Sequence, residues 1–241
     1  RHIIIPREIP LATLPVTVIP LPAPVLLPVA GSDAAFPVRR VYCVGRNYAD
    51  HAIEMGHDPS REPPFFFQKN PQNLVTDGRF PYPPLSSNVH FEVELVMALK
   101  AGGSDIALDD AMAGVWGYGV GIDFTRRDLQ DGLKKAGRSW EAAKAFEASA
   151  PVSPLVPAEK IGHPQQGAIW LDVNGERKQS GDLAQMIWKL PEIIVELSTL
   201  FTLSAGDIIM TGTPAGVGPI LRGDRIRCGV EGVAQLDVEV I

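Results

Sequence analysis

The sequence predicts a β-rich α+β protein, and three stretches carry that prediction. Residues 89–99 (VHFEVELVMAL) alternate in the manner of a strand. Residues 168–180 (AIWLDVNGERKQS) place Asn174-Gly175, a dipeptide suited to a type I′ turn, between two strand-like runs. Residues 224–241 (DRIRCGVEGVAQLDVEVI) alternate again and should form closing strands. The longest helical spacing of apolar residues covers residues 182–203, where Pro191 should start a second helix or kink the first.

Length and composition favour one sizeable core with room for a small appendage. The 241 residues carry a formal net charge of −6 with acidic and basic residues interspersed, which argues against nucleic-acid binding. No run is long and apolar enough to span a bilayer, and no secretory signal is visible. Cys43 and Cys228 are far apart in sequence, which favours free thiols in a reducing compartment over a disulfide. We therefore expect a cytoplasmic protein without nucleic-acid or membrane partners.

Residues 1–35 are expected to form a proline-rich arm laid over a main domain at residues 36–241. Within residues 1–40, prolines occur at positions 6, 10, 15, 20, 22, 24, 28 and 37. Proline removes backbone donors, so the short apolar runs between them can form edge strands or extended packing segments but hardly central strands. We assign no chemistry to this arm.

A short helix should follow the strand at residues 38–45. Asn47 suits its N-cap and Gly56 suits its C-terminal stop. On this helix His51 and Glu54 are three residues apart and therefore share a face. A carboxylate beside an imidazole orients the ring and raises its basicity, as a general base requires. The alternative is a surface ion pair on a solvated helix.

Glu92 and Glu94 lie two residues apart at the centre of the strand-like run 89–99, so their side chains should project from one face. Two like charges among apolar neighbours repel one another and resist burial. A hard divalent cation between them is the simplest compensation. The alternative is a sheet face open to water, where two solvated glutamates need no partner.

Other polar side chains stand where predicted strands end or helices begin. Lys69 ends a compact aromatic strand, and Asp123 ends a glycine-studded apolar strand. Arg127 and Gln130 are three residues apart on the first turn of a predicted helix that closes at Gly137. An arginine and an amide at a helix N-terminus suit an anionic oxygen. They could equally be ordinary polar residues on an exposed turn.

Residues 205–219 (AGDIIMTGTPAGVGP) predict a buried strand that leads into a glycine-rich turn. The turn lacks the Gly-Lys-Ser/Thr of a phosphate loop, so we reject nucleotide binding. Thr211 and Thr213, together with the Gly212 amide, could still hold a small carboxylate.

Taken in chain order, these motifs resemble the fumarylacetoacetate hydrolase superfamily. They are GRNYADH followed by Glu54, the paired glutamates, GIDFTRRDLQ, Lys144 between apolar neighbours, and TGTPAGVGP. The resemblance runs from about Phe36 to the C-terminus, and its detail is most similar to the small bacterial acylpyruvate and fumarylpyruvate hydrolases. It implies a mixed β-sandwich roll of the family's C-terminal-domain type with a short lid helix, and a homodimer.

The resemblance also implies a role for each matching position. Glu92, Glu94 and Asp123 match the family's ligands for Mg²⁺ or Mn²⁺, and three carboxylates suit such a hard ion better than zinc. His51 and Glu54 match the pair that activates water, on a helix that in relatives orders as a lid over bound substrate.

Two further sets of positions match the family's pattern. The residues that match groups around the developing oxyanion are Lys144, Gln130 and Arg127. The residues in substrate-contacting segments are Thr213, Lys69 and Arg46. His90 is expected to support the site without binding the metal, because a single histidine near a metal strand usually does so.

The implied reaction is metal-dependent hydrolysis of a C–C bond in a 2,4-dioxo acid such as fumarylpyruvate. Water activated by His51 would attack the 4-carbonyl, and collapse would release pyruvate and a carboxylic acid. A decarboxylase or tautomerase of oxaloacetate-like 2-oxo acids is an alternative that uses the same metal without activated water. A metal-binding scaffold without catalysis is a third, although every position needed for catalysis holds a competent residue.

Overall fold

A computed structural model describes residues 17–54 and 62–241 of the chain. Its strands, in chain order, are β1 (Leu26–Pro28), β2 (Ala35–Pro37), β3 (Arg40–Gly45), β4 (Phe65–Lys69), β5 (Leu74–Val75), β6 (Arg79–Phe80), β7 (Val89–Phe91), β8 (Val93–Leu99), β9 (Val115–Ile122), β10 (Thr125–Arg126), β11 (Ala150–Pro151), β12 (Val156–Pro157), β13 (Ala168–Val173), β14 (Glu176–Asp182), β15 (Asp207–Met210), β16 (Gly218–Pro219), β17 (Arg225–Val230) and β18 (Ala234–Val240). The α-helices are α1 (Ala49–Glu54), α2 (Arg127–Lys135), α3 (Glu141–Lys144), α4 (Ala158–Ile161) and α5 (Leu190–Leu200). Short 3-10 helices cover Pro71–Asn73, Leu108–Gly114 and Leu183–Gln185. The predicted β-rich α+β class is confirmed.

Two sheets form the body of the fold. The central sheet has the strand order β12-β9-β8-β15-β3-β4 and is antiparallel except for the pair β15 and β3. The second sheet has the order β14-β13-β17-β18-β6, in which β18 and β6 are parallel. Smaller sheets join β10-β7-β16, β1-β2 and β11-β5.

The central strand β8 separates two hydrophobic cores. Leu95 and Met97 belong to the larger core, which includes Ile169 of the second sheet. Val96 and Ala98 belong to a smaller core on the other side of β8. Every residue of β8 is buried, which explains why its sequence, apart from Glu94, is apolar on both faces. The two sheets pack face to face through the larger core.

The predicted strand at residues 89–99 is divided at Glu92 into β7 and β8. Strand β7 pairs with β10 and β16, whereas β8 joins the central sheet between β9 and β15. The Glu92 carbonyl accepts the Asp123 N–H at 2.8 Å, which extends the pairing of β8 with β9 by one residue. Glu92 therefore lies where the chain passes from one sheet to another.

The hairpin at residues 168–180 is confirmed, and its turn residues Asn174 and Gly175 have φ of 52° and 82°, as a type I′ turn requires. The helix within residues 182–203 starts only at Leu190. Pro191 lies in its first turn, where backbone N–H groups have no partner within the helix, so proline costs no hydrogen bond. Of the two alternatives for this proline, the second helix is therefore correct.

Asn47 does not cap α1, which begins two residues later at Ala49. Its buried amide instead donates to the carbonyls of Thr211 at 2.8 Å and Trp188 at 3.0 Å, and its oxygen accepts the Trp188 N–H at 2.7 Å. The N-cap prediction is wrong because these buried backbone groups need partners more than a solvated helix end does. Gly56, the predicted helix stop, lies outside the described residues.

Strands β1 and β2 form a hairpin that packs on the smaller core through Leu27 and Phe36. Val29 adds a parallel bridge to Leu155. The predicted boundary between residues 35 and 36 falls inside β2, while residues 1–16 lie outside the described part of the chain.

Within the two described ranges, the structure contains no helix that is both long enough and apolar enough to cross a membrane. Cys43 and Cys228 are buried and not bridged.

Candidate active site

One pocket brings most of the predicted site residues together. Loops and ends of the central sheet form one side of it, and α1, α2 and α3 form the rest. The predicted site residues that line it are Arg46, His51, Glu92, Glu94, Asp123, Arg127, Gln130, Lys144 and Thr213. Lys69 and Glu54 lie outside its wall.

The register of two neighbouring strands sets three carboxylates side by side. Val93 of β8 lies opposite Ile122 of β9, so Glu92 lies opposite Asp123 one step further along. Opposed residues of an antiparallel pair project to the same face, and Glu94 shares that face by alternation. One oxygen from each of the three carboxylates lies within 4.8 Å of the others. The solvated-face alternative is excluded, because Glu92 is 5% and Glu94 2% exposed.

Buried cations contact two of these carboxylates. Lys144 Nζ lies 2.7 Å from Glu92 Oε2 and 2.7 Å from Asp123 Oδ2. Arg127 Nη2 lies 2.5 Å from Glu92 Oε1, and Lys69 Nζ lies 2.8 Å from Asp123 Oδ1. Burial opposes ionisation of Glu92, but the attraction of Lys144 and Arg127 outweighs it and holds the pKa of Glu92 well below its usual range. Burial likewise acts against the charge on Lys144, yet Asp123 and Glu92 raise its pKa, so the lysine stays protonated.

Glu94 forms no ion pair with a lysine or arginine of the described residues. Its Oε2 accepts the Gly212 N–H at 2.9 Å. Burial, followed by repulsion from Asp123 and Glu92, raises the pKa of Glu94 well above its ordinary value of 4.5. A cation placed against all three carboxylates would remove this repulsion.

The donor set fits a hard divalent cation. The cluster of Glu92, Glu94 and Asp123 offers carboxylate oxygens and, as far as the described residues show, includes no cysteine or histidine. Such a set favours Mg²⁺ or Mn²⁺ over zinc. A carboxylate oxygen has two lone pairs, so the oxygens that already contact Lys144 keep the capacity to accept a second partner. The three carboxylates are therefore candidate ligands of a divalent metal ion.

Arg127 is held from three sides at the start of α2. It donates through Nη1 to Gln130 Oε1 at 2.7 Å, through Nη2 to Glu92, and through Nε to His90 Nδ1 at 3.4 Å. Because His90 Nδ1 accepts this bond, its Nε2–H donates to Asn88 Oδ1 at 3.0 Å. Burial and the nearby Arg127 charge lower the pKa of His90 to about 4. His90 is thus a neutral support for Arg127 and lies outside the carboxylate cluster.

His51 and Glu54 contact each other on α1, with Nδ1 of the histidine 3.3 Å from Glu54 Oε2. His51 is 6% exposed and lines the pocket, so it is not part of a solvated surface pair. Burial lowers the pKa of His51 below 6.5, although Glu92 and Glu54 act to raise it. The neutral imidazole, the form that can accept a proton, therefore predominates at pH 7.

Glu54 also ties α1 to the turn that follows β15. Both of its carboxylate oxygens accept the Gly216 N–H at 3.1 Å. Gly216 has φ of 93°, and a Cβ there would lie 2.1 Å from the Lys178 carbonyl oxygen, so only glycine fits. The position of His51 thus depends on a contact between a short helix and a rigid turn.

Sequence analysis missed Gln179, a fully buried residue of β14 that holds the same turn. Its Nε2 donates to Thr213 Oγ1 and to the Pro214 carbonyl, each at 2.8 Å, and its Oε1 accepts the Val93 N–H at 2.9 Å. Val93 lies between Glu92 and Glu94 in the chain, so the Gln179 side-chain amide connects the backbone at the paired glutamates with Thr213. The polar run ERKQSGD gives no local signal for this role, because only the packing of the two sheets buries Gln179.

Lys69 lies behind Asp123 and does not line the pocket. Its side chain is fully buried, and Nζ donates to Ser149 Oγ at 3.0 Å and to the Lys144 carbonyl. In this position it supports Asp123 and the chain at Lys144, and the predicted substrate contact of Lys69 stays a prediction.

Phe67, Lys134 and Trp140 also line the pocket, and sequence analysis assigned no role to Lys134 or Trp140. Lys134 Nζ lies 5.0 Å from the centre of the Trp140 ring. On sequence alone, Lys134 is one of two adjacent lysines at the end of a helix, where cations are common.

Comparison with known proteins identifies the family. Residues 40–241 match the family model described as fumarylacetoacetate (FAA) hydrolase C-terminal. Fumarylpyruvate hydrolase of Ralstonia sp is 44% identical over 184 residues, which cover 76% of this chain and 95% of that protein. Oxaloacetate tautomerase YcgM of Escherichia coli (strain K12) is 43% identical over 205 residues, which cover 84% of this chain and 93% of that protein.

A solved structure extends the likeness to the fold. The crystal structure of fumarylpyruvate hydrolase from Pseudomonas aeruginosa in complex with Mn²⁺ and pyruvate is 50% identical in sequence, with a TM-score of 0.92 over 93% of this chain and 99% of that chain. The mixed β-sandwich implied by the sequence motifs is therefore confirmed. The chain belongs to the fumarylacetoacetate hydrolase family and is an enzyme of that family.

Proposed function

We propose that this protein is a metal-dependent hydrolase that cleaves a 2,4-dioxo acid, an acylpyruvate such as fumarylpyruvate, into pyruvate and a carboxylic acid. The observation that carries the proposal is a buried, neutral histidine in the same pocket as a three-carboxylate cluster and a buried lysine. This combination can activate water and stabilise an oxyanion within one cavity. The relatives named fumarylpyruvate hydrolase support the substrate class.

The carboxylate cluster would hold the cofactor, Mg²⁺ or Mn²⁺. Glu92, Glu94 and Asp123 are the proposed ligands, and the bound ion would supply Lewis-acid stabilisation of negative charge at the 2-oxo end of the substrate. Lys144 and Arg127 hold the oxygens of Glu92 and Asp123 in place, so the cluster is preorganised by the chain.

His51 is the proposed general base. Its neutral ring takes a proton from water, and the resulting hydroxide adds to the 4-carbonyl carbon of the substrate. Glu54 orients the ring through Nδ1, which leaves Nε2 to accept the proton. Helix α1 would act as a lid that completes this arrangement when substrate is bound.

Three donors are proposed to stabilise the oxyanion that forms at C4: Lys144, Gln130 and Arg127. Collapse of this adduct restores a C=O bond and breaks the C3–C4 bond, and its electron pair passes to C3 as the enolate of pyruvate. Protonation at C3 then gives pyruvate, while the acyl group leaves as a carboxylic acid. Thr213 and Arg46 line the pocket and are proposed substrate contacts.

Three expectations from the sequence remain part of this proposal. They are a catalytic domain at residues 36–241, a homodimer, and a cytoplasmic location.

The second candidate is a tautomerase or decarboxylase of oxaloacetate. The 43% identity to the E. coli oxaloacetate tautomerase favours it, and the same cluster can stabilise an enolate derived from oxaloacetate. Decarboxylation needs no activated water, so His51→Ala would affect it only mildly.

The test follows the loss of dioxo-acid absorbance with fumarylpyruvate and with acetylpyruvate, in the presence of Mn²⁺ or of a chelator, with pyruvate quantified. We expect metal-dependent release of pyruvate. If neither substrate releases pyruvate while oxaloacetate is consumed, the second candidate replaces the first.

A further inference from the structure

We infer that Lys134 and Arg46 form a second anion site in the pocket, which selects substrates whose acyl group ends in a carboxylate. This inference rests on the proposed function and deepens it, because it names which acylpyruvates the enzyme prefers. The proposed substrate class is a 2,4-dioxo acid with an unsaturated, dicarboxylic skeleton.

The first observation concerns charge. The three carboxyls of the cluster carry at most three negative charges, and three cations contact the cluster: Lys69, Lys144 and Arg127. These cations therefore match the greatest charge that the cluster can carry before any metal ion binds. Positive charge beyond this set is available for a ligand.

Lys134 and Arg46 supply that additional positive charge. Both line the pocket, and neither forms an ion pair within the part of the chain that the structure describes. Arg46 directly follows β3 with φ of 60°, a backbone conformation that few arginines adopt. Lys134 reaches the pocket from the last turn of α2.

The surroundings of Lys134 favour an anion beside it. Burial lowers the pKa of Lys134, and the positive charges of Arg127 and Arg46 lower it further, against the opposing effects of Asp131 and Glu92. Lys134, Arg127 and Arg46 all line the same pocket, so three positive charges lie around one cavity. A carboxylate between Lys134 and Arg46 would relieve this repulsion.

An aromatic wall stands beside the two cations. Phe67 and Trp140 line the pocket with ring centroids 6.2 Å apart, and Lys134 Nζ lies over the Trp140 ring. A planar, conjugated acyl chain can pack against such rings. The pocket therefore offers an apolar surface for the chain and positive charge for its distal end.

The test compares fumarylpyruvate with its crotonyl analogue, in which a methyl group replaces the distal carboxylate. The readout is the ratio of kcat/KM for the two substrates with Mn²⁺-loaded enzyme. We expect the wild type to prefer fumarylpyruvate by about 10- to 100-fold, as expected for a charge-assisted contact. Lys134→Met and Arg46→Met should each lower this ratio by about 10-fold.

Lys135→Met is the matched control, because Lys135 is the next residue of α2, carries the same charge and is exposed. It should leave the substrate ratio unchanged. A ratio that stays the same in Lys134→Met and Arg46→Met would overturn the inference, and so would an equal fall in Lys135→Met.

A binding measurement separates this inference from the proposed function. In a His51→Ala background, calorimetry with the same two compounds should show tighter binding of fumarylpyruvate, and Lys134→Met should weaken that preference. Absence of pyruvate release by the wild type would defeat the proposed function, while the affinity ratio would still decide the role of Lys134 and Arg46.

Discussion

The two halves of the site are built on very different supports. The carboxylates extend from β8 and β9, adjacent strands that are almost wholly buried and fixed by the register of the central sheet. His51 and Glu54 stand on a helix of six residues whose Ile53 side chain is 57% exposed, and Glu54 anchors it to the turn at Gly216. A helix this short is not stable alone.

The difference indicates that charge stabilisation and proton transfer are separable in this protein. The sheet can hold a metal ion in a fixed geometry whether or not α1 is in place. We expect that the helix can move without disturbing the carboxylates, as the proposed lid would require. Substitutions in the two regions should therefore have distinct signatures.

Asp123→Ala should have the largest effect, because it removes one carboxylate and leaves Lys69 and Lys144 buried without it. We expect the free energy of unfolding to fall by about 3–5 kcal/mol and hydrolysis to be lost. Urea unfolding and the pyruvate assay measure the two effects. Glu54→Ala is the control from the helix and should cost less than about 1 kcal/mol of stability. Equal losses in both variants would contradict the contrast between the regions.

Glu94→Gln should abolish metal binding and hydrolysis without destabilising the metal-free protein. The folded pKa of Glu94 lies above its unfolded value of 4.5, so the folded state holds this proton more tightly. Its contribution to stability is therefore present at low pH and lost as the pH rises above 4.5. Glu94→Gln should remove this part of the pH dependence.

Thermal unfolding of the metal-free protein across this pH range checks the prediction for Glu94. Addition of Mn²⁺ should raise the Tm of the wild type and leave that of the variant unchanged. An equal rise in both proteins would show that Glu94 is not a ligand.

His51→Ala should lower kcat for hydrolysis by about 10²- to 10⁴-fold, the usual contribution of a general base. Mn²⁺ binding, measured by calorimetry, should remain as in the wild type, because the carboxylates do not depend on α1. Near-normal turnover in this variant would remove His51 from the mechanism.

Glu54→Gln should have the smallest effect, a fall in kcat/KM of about 10-fold, because the amide still reaches His51 but no longer attracts its proton. The acidic limb of the wild-type pH profile should lie below pH 6.5, because the lowered pKa of His51 keeps the imidazole neutral below that pH. Glu54 acts to raise the pKa of His51, so its removal should move that limb to still lower pH. A limb that does not move would mean that Glu54 only positions the helix.

Much of the site could be predicted from short-range spacing. Glu92 and Glu94 share a face because strand side chains alternate, and His51 meets Glu54 because a helix brings residues three apart together. The prediction that Asn47 caps the helix was wrong because its actual contacts are long-range. The partners of its amide, near Trp188 and Thr211, are distant in sequence and invisible to local rules.

Side-chain type and covalent spacing were enough to predict the fold class, the chemistry of the donor groups and the local pairs, because each depends on residues close together in the chain. Tertiary structure alone decided which distant residues meet. The register of β8 and β9 places Asp123 opposite Glu92, and sheet packing buries Gln179 beside the paired glutamates. The position of α2 beside the pocket places Lys134 in the pocket wall and over the Trp140 ring. Such contacts join segments far apart in the chain, and only the burial of the common core sets their geometry.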